Sequence, residues 1–298
     1  MTSPRALLLV FLLAGCSSGP RRGILAPEDV PPGWTLYTTA HYQVLSDSGK
    51  ADAQAMAERL EGVLALYVEK LPTSREIPCF SVRVLKTYAA YLAYGGEEAT
   101  GGWYDQTTGE LVLTQFEGFS AGYKRGRPPA LQEMVTTAYH EAWHQYFHWL
   151  LDTEEDPPAW FDEGMADYFG QARLVPGDGV SPDGTVEDKE WRLRPQHPAW
   201  LASVRAAVST GKFVPLREFV HMTRRAYYEE PALTYPQGWA LVHFLLHAKD
   251  ERTNEVPSVL VRALLEGAES AKAVDEAFAG MDLEKLEEEW KQYVREMR

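Results

Sequence analysis

The sequence is poor in cysteine, with only Cys16 and Cys79 among 298 residues. A structural zinc site is closed by four protein ligands, and these usually include several cysteines. The composition therefore excludes a cysteine-rich structural metal site. Histidines and carboxylates are left as the candidate ligands for any bound metal.

Positive charge is also scarce. The chain has 29 lysine and arginine residues against 43 aspartate and glutamate residues, which gives a net charge of -14. An acidic protein repels polyanions, so we expect no binding to nucleic acid. Aromatic residues make up 12% and hydrophobic residues 45% of the chain, which excludes general disorder.

The apolar run at the start of the chain is too short to span a bilayer. It covers residues 6–14 and follows Arg5. The segment Leu13-Ala-Gly-Cys16 resembles the lipobox of bacterial lipoproteins. This resemblance implies that residues 1–15 are a signal peptide and that Cys16 is lipidated, whereas a plain secretory signal is the alternative.

Lipidation would anchor the protein to the extracytoplasmic side of a membrane without crossing it. The residue after Cys16 is Ser17 and not an acidic retention residue. This favours attachment to the outer membrane, if the cell has one. Residues 16–33 are rich in Ser, Gly, Pro and Arg and are predicted to form a tether. Since the lipid would occupy Cys16, we expect Cys79 to remain a single thiol.

The most informative stretch is His140-Glu141-Ala142-Trp143-His144. Histidines four residues apart lie on the same face of an α-helix, so both imidazoles can reach one metal ion. Glu141 would lie beside the open position of that metal, where it can take a proton from bound water. Because a five-residue motif also occurs by chance, its context has to decide.

The surrounding sequence predicts a third ligand. Residues 129–151 have the apolar spacing of a largely buried helix, and a double proline separates it from a second helix at 159–174. Glu163 lies nineteen residues after His144, which allows helix, turn and return helix. We therefore predict Glu163 as a metal ligand, with the fourth position open for water.

Asp167 follows Glu163 by one helical turn. It could accept a hydrogen bond from the non-ligating nitrogen of a metal-bound histidine and so fix its tautomer. The alternative is a solvated acidic face that also contains Asp162. Apolar neighbours argue against that alternative: Trp160, Phe161, Met165, Ala166, Tyr168 and Phe169.

The H-E-x-x-H motif, followed by W-x-x-E-G-x-A-x-Y at residues 160–168, resembles the gluzincin class of zinc metallopeptidases. The chain more closely resembles bacterial proteins described as peptidase MA-like, including the segments HYQVLSD, TYPQGWALVHFLL and LEKLEEEWKQYV. The metzincin pattern is absent, since Phe147 and Leu150 stand where it requires glycine and histidine. The resemblance implies zinc as the metal.

The resemblance also implies a catalytic role for Tyr235. In the aminopeptidase-like gluzincins, a tyrosine in a Y-x-x-G segment after the glutamate ligand stabilises the oxyanion, and Tyr235 and Gly238 match this spacing. Tyr227 and Tyr228 are weaker candidates for the same role. The alternative for Tyr235 is a packing role alone.

The aminopeptidases bind the substrate amine with a G-x-M-E-N segment, which is absent here. Residues 100–115 instead predict a hairpin with its turn at 105–109. In this class an exposed strand ahead of the zinc helix pairs with an extended substrate. Endopeptidase action is therefore slightly favoured. Glu110 could bind an amine, although a solvated charge is the preferred interpretation.

The remaining histidines are weaker signals. His148 is expected beside the site or on the helix surface, because three ligands on one helix are disfavoured by helix curvature. His243 and His247 repeat the four-residue spacing without an adjacent glutamate, so we expect them to have packing roles.

The predicted fold class is α+β. Residues 34–128 alternate strands and helices and are expected to form a small mixed sheet with an edge strand. Residues 129–298 are mainly helical and are expected to form the zinc-binding catalytic subdomain, with zinc in the cleft between the two.

Together these features predict a membrane-anchored, extracytoplasmic zinc peptidase that cleaves peptide or protein substrates with a zinc-activated water. The alternative is an envelope lipoprotein, zinc-bearing or without catalysis, that acts as a binding or structural scaffold. Nothing in the sequence indicates an oligomeric state.

Overall fold

The computed structural model describes residues 25–98, 100–117, 131–153, 155–170, 172–176, 189–193 and 197–297. The predicted signal peptide and the predicted lipidation site, Cys16, lie outside the described residues. The last part of the predicted tether is described, and there Leu25 exchanges two hydrogen bonds with the side chain of Gln43. None of the described helices is long and apolar enough to cross a membrane.

The N-terminal part begins with a 3-10 turn at Pro27–Asp29 and then combines strands with two helices. Its elements are β1 (Thr35–Thr38), β2 (Tyr42–Ser46), α1 (Lys50–Lys70), β3 (Phe80–Thr87), α2 (Tyr88–Tyr94), β4 (Gly102–Asp105) and β5 (Glu110–Glu117). The five strands form one mixed sheet in the order β1-β2-β3-β5-β4. The central pairs β2–β3 and β3–β5 are parallel, whereas the outer pairs are antiparallel.

The rest of the described chain is mainly helical. Its elements are α3 (Leu131–Leu151), α4 (Ala159–Gly170), β6 (Ala172–Pro176), β7 (Lys189–Leu193), α5 (Pro198–Thr210), α6 (Leu216–Phe219), α7 (Arg224–Glu229), α8 (Pro231–His247), α9 (Glu251–Leu265), α10 (Ser270–Ala277) and α11 (Leu283–Glu296). The α+β prediction is therefore confirmed, with a mixed sheet followed by a helical region.

The two faces of the sheet carry separate apolar clusters, as alternation along a strand requires. Val44, Val82 and Leu113 belong to the main core, which also includes apolar residues of α1 and α3. On the other face, Leu85 and Val112 pack with Tyr91 of α2. The sheet therefore presents its larger core face to the helices that follow.

Helix α3 is buried on most of its circumference. Trp143 is fully buried, and its ring stacks on Phe147 and Phe169 at centroid distances of 5.0 and 5.1 Å, while Tyr67 of α1 meets it edge-on at 5.5 Å. A helix that is apolar on all sides belongs in a core. Packing of this kind holds the adjacent histidines in place.

Gln145 connects α3 to the sheet. Its buried Nε2 donates to the backbone oxygens of Ser81 on β3 and of Gly109 in the β4–β5 turn, at 2.9 and 2.8 Å. Gly109 has φ 72°, which a side chain would oppose. These contacts hold the β4–β5 hairpin, the edge hairpin of the sheet, against α3, which carries His140 and His144.

Two glycines allow α4 and α8 to approach closely. A Cβ atom on Gly164 would lie 2.7 Å from the backbone oxygen of Gly238, and one on Gly238 would lie 2.7 Å from the hydroxyl of Tyr227. Gly164 follows Glu163, and Gly238 lies three residues after Tyr235. The close approach of the two helices therefore brings the side chains of Glu163 and Tyr235 to one cleft.

One expectation about element bounds is wrong. The helix predicted at 159–174 ends at Gly170, and residues 172–176 pair antiparallel with β7 instead. A short apolar run does not distinguish strand from helix, which is why periodicity failed there. The C-terminal region ends in helices α9, α10 and α11, and Gly267, at φ 86°, separates α9 from α10.

Candidate metal centre

Helices α3 and α4 pack together and bring His140, His144 and Glu163 to one point. The two Nε2 atoms lie 3.2 Å apart, and Oε2 of Glu163 lies 3.3 Å from Nε2 of His140 and 3.8 Å from Nε2 of His144. Ligand atoms bound at ~2.0–2.2 Å in tetrahedral geometry are separated by roughly 3.3–3.6 Å. The three atoms are therefore spaced to hold one metal ion.

Glu163 offers an oxygen for that ion. Within the described part of the chain, its Oε2 is buried and makes no hydrogen bond, although both imidazoles lie near it. Its other oxygen, Oε1, accepts a hydrogen bond from the hydroxyl of Tyr228 at 2.5 Å. A buried carboxylate oxygen without a donor is costly, and a bound cation would compensate for it.

Each histidine is oriented by a carboxylate on its far side. Nδ1 of His140 donates to Oδ1 of Asp167 at 2.9 Å, and Nδ1 of His144 donates to Oδ1 of Asp162 at 2.8 Å. These bonds place a proton on Nδ1 and leave Nε2 of each ring as the nitrogen that can bind a metal.

The structure thus places Asp167 where the helical spacing predicted it. Asp162, with only 1% of its surface exposed, has the same function for the second histidine, and the sequence reasoning missed it. The one available signal was a second acidic residue next to Glu163 in an apolar helix, which was assigned instead to a possible solvated face.

Buried carboxylates dominate the electrostatics of this centre. Burial disfavours a charged His140, but Asp167 and Glu163 outweigh it and raise the pKa of this imidazole well above its ordinary value. Asp162 and Glu163 likewise outweigh burial at His144 and raise its pKa to about 9. Burial raises the pKa of Asp167 to about 6. Carboxylates that favour a proton on an imidazole also favour a cation between imidazoles.

Glu141 lies beside the three candidate ligands. One of its carboxylate oxygens, Oε2, accepts a hydrogen bond from the backbone N–H of Tyr104 on β4, at 3.1 Å. Burial raises the pKa of Glu141, although the two neighbouring imidazoles oppose this shift. The edge strand therefore fixes the direction in which this carboxylate points.

A cleft of about 570 Å³ opens onto the centre. Tyr235 lines it, and its pKa is raised by burial and then by the charge of Glu163, so the phenol keeps its proton. The β4–β5 hairpin, helices α3 and α4, the loop that connects these two helices, and α7 supply the rest of the lining: Trp103, Tyr104, Asp105, Gln106, Thr107, His140, Glu141, His144, His148, Asp156, Asp162, Glu163 and Arg224.

A second group of possible ligands consists of His144, His148 and Asp162. However, Oδ2 of Asp162 lies 3.2 Å from Nη2 of Arg224 and 3.4 Å from Nε2 of His148. The guanidinium already supplies a positive charge there, and Nδ1 of His144 is engaged with the other oxygen. The first group is therefore the better metal centre, and His148 lies beside it as expected.

Glu110 is not the solvated charge that the sequence favoured. It is buried, its Oε1 lies 2.9 Å from Nη2 of Arg83, and its Oε2 accepts from the hydroxyl of Tyr94 at 2.8 Å. These partners also leave it poorly placed to bind a substrate amine, and it does not line the cleft.

Comparison with known proteins adds one match. A family model described as "Protein of unknown function (DUF1570)" matches residues 134–262, which is less than half of the chain. The matched region begins within α3, ends within α9 and contains every residue of the candidate centre. No curated protein matches the chain.

Proposed function

We propose that this protein is a zinc-dependent peptidase. The observation that carries the proposal is the arrangement of His140, His144 and Glu163 around one point, with Glu141 beside them and a cleft in front. Two imidazoles and one carboxylate with an open fourth position are the donor set of a catalytic zinc site. A structural site would close that position with a fourth protein ligand.

Zinc bound there would act as a Lewis acid and acidify a water molecule in the cleft. Glu141 would take the proton from the attacking water and return it to the leaving amine. Its hydrogen bond from the Tyr104 amide holds the carboxylate toward the position of the water. Tyr235 would donate a hydrogen bond to the substrate oxygen on which negative charge develops.

Strand β4 supports an extended peptide as the substrate. It is the last strand in the order of the sheet, and Trp103, Tyr104 and Asp105 line the cleft. An edge strand can bind a peptide by adding it to the sheet, with pockets selecting alternate side chains. The absence of an amine-binding G-x-M-E-N segment makes endopeptidase action the preferred form.

Lipidation at Cys16 belongs to the same proposal. It would place the enzyme on the extracytoplasmic face of a membrane, in the outer membrane if the cell has one, and confine it to peptide or protein substrates there. The net charge of -14 gives no support to a nucleic acid partner.

A scaffold lipoprotein that binds zinc without turnover is the second candidate. Its zinc centre would need neither Glu141 nor an open cleft in front of the ligands. The peptidase is favoured because the chain has both Glu141 and the open cleft, and because Tyr235 lines the same cleft.

Zinc-loaded protein and its Glu141→Gln variant should be incubated with a complex mixture of peptides, and the products identified by mass spectrometry. We expect cleavage within peptide chains by the wild type and almost none by the variant, which keeps the size of the side chain and loses the base. The same product pattern from both proteins would contradict the proposal.

A further inference from the structure

Arg224, the first residue of α7, lies at the junction of two hydrogen-bonded branches. Its Nη2 donates to Oδ2 of Asp162 at 3.2 Å, and its Nη1 donates to the hydroxyl of Tyr228 at 2.9 Å. Asp156 lies 3.5 Å from its Nε. A planar guanidinium can hold two acceptors in fixed relative positions, which a lysine cannot do.

Each branch ends on a candidate metal ligand. Oδ1 of Asp162 accepts from Nδ1 of His144, while the hydroxyl of Tyr228 donates to Oε1 of Glu163. The ligand atoms of His144 and Glu163 then face each other at 3.8 Å. The series His144, Asp162, Arg224, Tyr228 and Glu163 therefore forms a ring that a metal ion would close.

We propose that Arg224 is a positioning residue that sets the geometry of two metal ligands at once, through Asp162 and through Tyr228. The inference rests on the metal centre of the proposed function, but it does not require peptidase activity. Arg224 lies in the cleft without serving as a ligand, and it comes from a different helix than the ligands do.

The two branches have separate physical roles. Asp162 is almost fully buried, and the hydrogen bond from Arg224 to its Oδ2 holds the carboxylate so that Oδ1 is directed at His144. Tyr228 occupies Oε1 of Glu163, so only Oε2 is directed at the metal position. The ring thus favours a ligand that binds through one oxygen, which preserves the open position for water.

The test measures zinc affinity of the full-length protein, purified in detergent, by competition with a chromogenic chelator. The variants are Arg224→Gln, Tyr228→Phe and the double variant. Arg225→Gln is the matched control, because the adjacent arginine is 90% exposed and pairs with Glu229 at the surface. We expect each single variant to weaken zinc binding about 10–100-fold and the control to match the wild type.

The double variant tests the ring itself. Since either single change opens the same ring, the double change should weaken binding by less than the product of the two single effects. Effects that multiply fully would contradict a shared ring. Single variants that both bind within about twofold of the wild type would overturn the proposal. If Arg224→Gln does not fold, Tyr228→Phe, which removes one hydroxyl, still carries the test.

A spectrum separates positioning from general destabilisation. With Co²⁺ in place of zinc, Tyr228→Phe frees Oε1 of Glu163 to bind the metal, so the coordination number should rise and the visible absorption bands should weaken. An unchanged spectrum would contradict the role of Tyr228. A wild-type protein that binds neither zinc nor cobalt would overturn the metal centre as well, whereas tight wild-type binding with unaffected variants would overturn this inference alone.

Discussion

Two pairs of histidines in this molecule have the same spacing and opposite surroundings. His140 and His144 on α3 have ring centroids 4.9 Å apart, and His243 and His247 on α8 have centroids 4.5 Å apart. Each ring of the first pair contacts a carboxylate. Each ring of the second pair contacts a tyrosine hydroxyl instead.

The surroundings have opposite effects on charge. Carboxylates raise the pKa of His144 to about 9, whereas burial and then the neighbouring His247 lower the pKa of His243 to about 3. The second pair also has Phe244 where the first has Glu141. Four-residue spacing on a helix is therefore insufficient for a metal centre, and the carboxylates around the pair make the difference.

The largest expected effect is the loss of a ligand from one pair only. His144→Ala should abolish stoichiometric zinc binding, whereas His243→Ala should leave the zinc content unchanged while lowering the free energy of unfolding by about 1–3 kcal/mol through its lost buried hydrogen bond. Elemental analysis and denaturant unfolding check the two outcomes. Loss of zinc from both variants would remove the distinction between the pairs.

Glu141→Gln should have the next largest effect. We expect turnover of a cleaved peptide to fall about 10²–10⁴-fold, because a general base is lost, while zinc content stays at the wild-type level. Initial rates measured by product formation, with metal analysis of the same samples, check this. A variant that retains wild-type turnover would show that another group accepts the proton.

A smaller effect is expected from the carboxylate that orients His140. Asp167→Asn should weaken zinc binding about 10–100-fold, because the amide no longer fixes the tautomer and basicity of the imidazole. Tyr293→Phe, which removes the corresponding partner of His243, is the control and should leave zinc affinity unchanged. Equal losses in both variants, measured by chelator competition, would argue for a general effect of folding.

A further expected effect concerns the dependence of stability on pH and leaves zinc binding aside. The pKa of His243 is about 3 in the folded protein, below the ordinary value near 6.5, so the unfolded chain binds a proton that the folded chain does not. Stability from this group is present above pH ~6.5 and is lost as the pH falls toward 3, by up to about 1.4 kcal/mol per pH unit.

The titratable groups that face His243 include His247, Tyr168 and the phenol of Tyr293, and Tyr168 also bonds to His247. In the His243→Gln variant the slope of unfolding free energy against pH should therefore become less steep between pH 6 and 4. Denaturant titrations at several pH values compare it with the wild type. Parallel slopes would indicate that His243 does not titrate in this way.

Much of the centre could be predicted from the sequence because it depends on local periodicity. Helical spacing aligned His140 with His144 and Glu163 with Asp167, and the length of the connection allowed the two helices to meet. The edge hairpin followed from alternating residues and a turn ending in Gly109. Each of these signals lies within one or two consecutive elements.

The rest depends on tertiary packing that no local pattern expresses. Asp162 precedes Glu163 by about a quarter of a helical turn, so periodicity placed it off the metal face. It reaches His144 because that residue lies one turn further along α3 than His140. Arg224 comes from α7, about sixty residues later, and Gln145 gains its role only when the hairpin packs beside α3.

The most direct test of the metal centre is the zinc content of the purified full-length protein after reconstitution and dialysis, measured beside Glu163→Ala. We expect about one zinc ion per chain in the wild type and much weaker retention in the variant, because Glu163 would supply the third ligand. A folded wild-type protein that retains no zinc would contradict the proposed metal centre and leave a metal-free scaffold as the better interpretation.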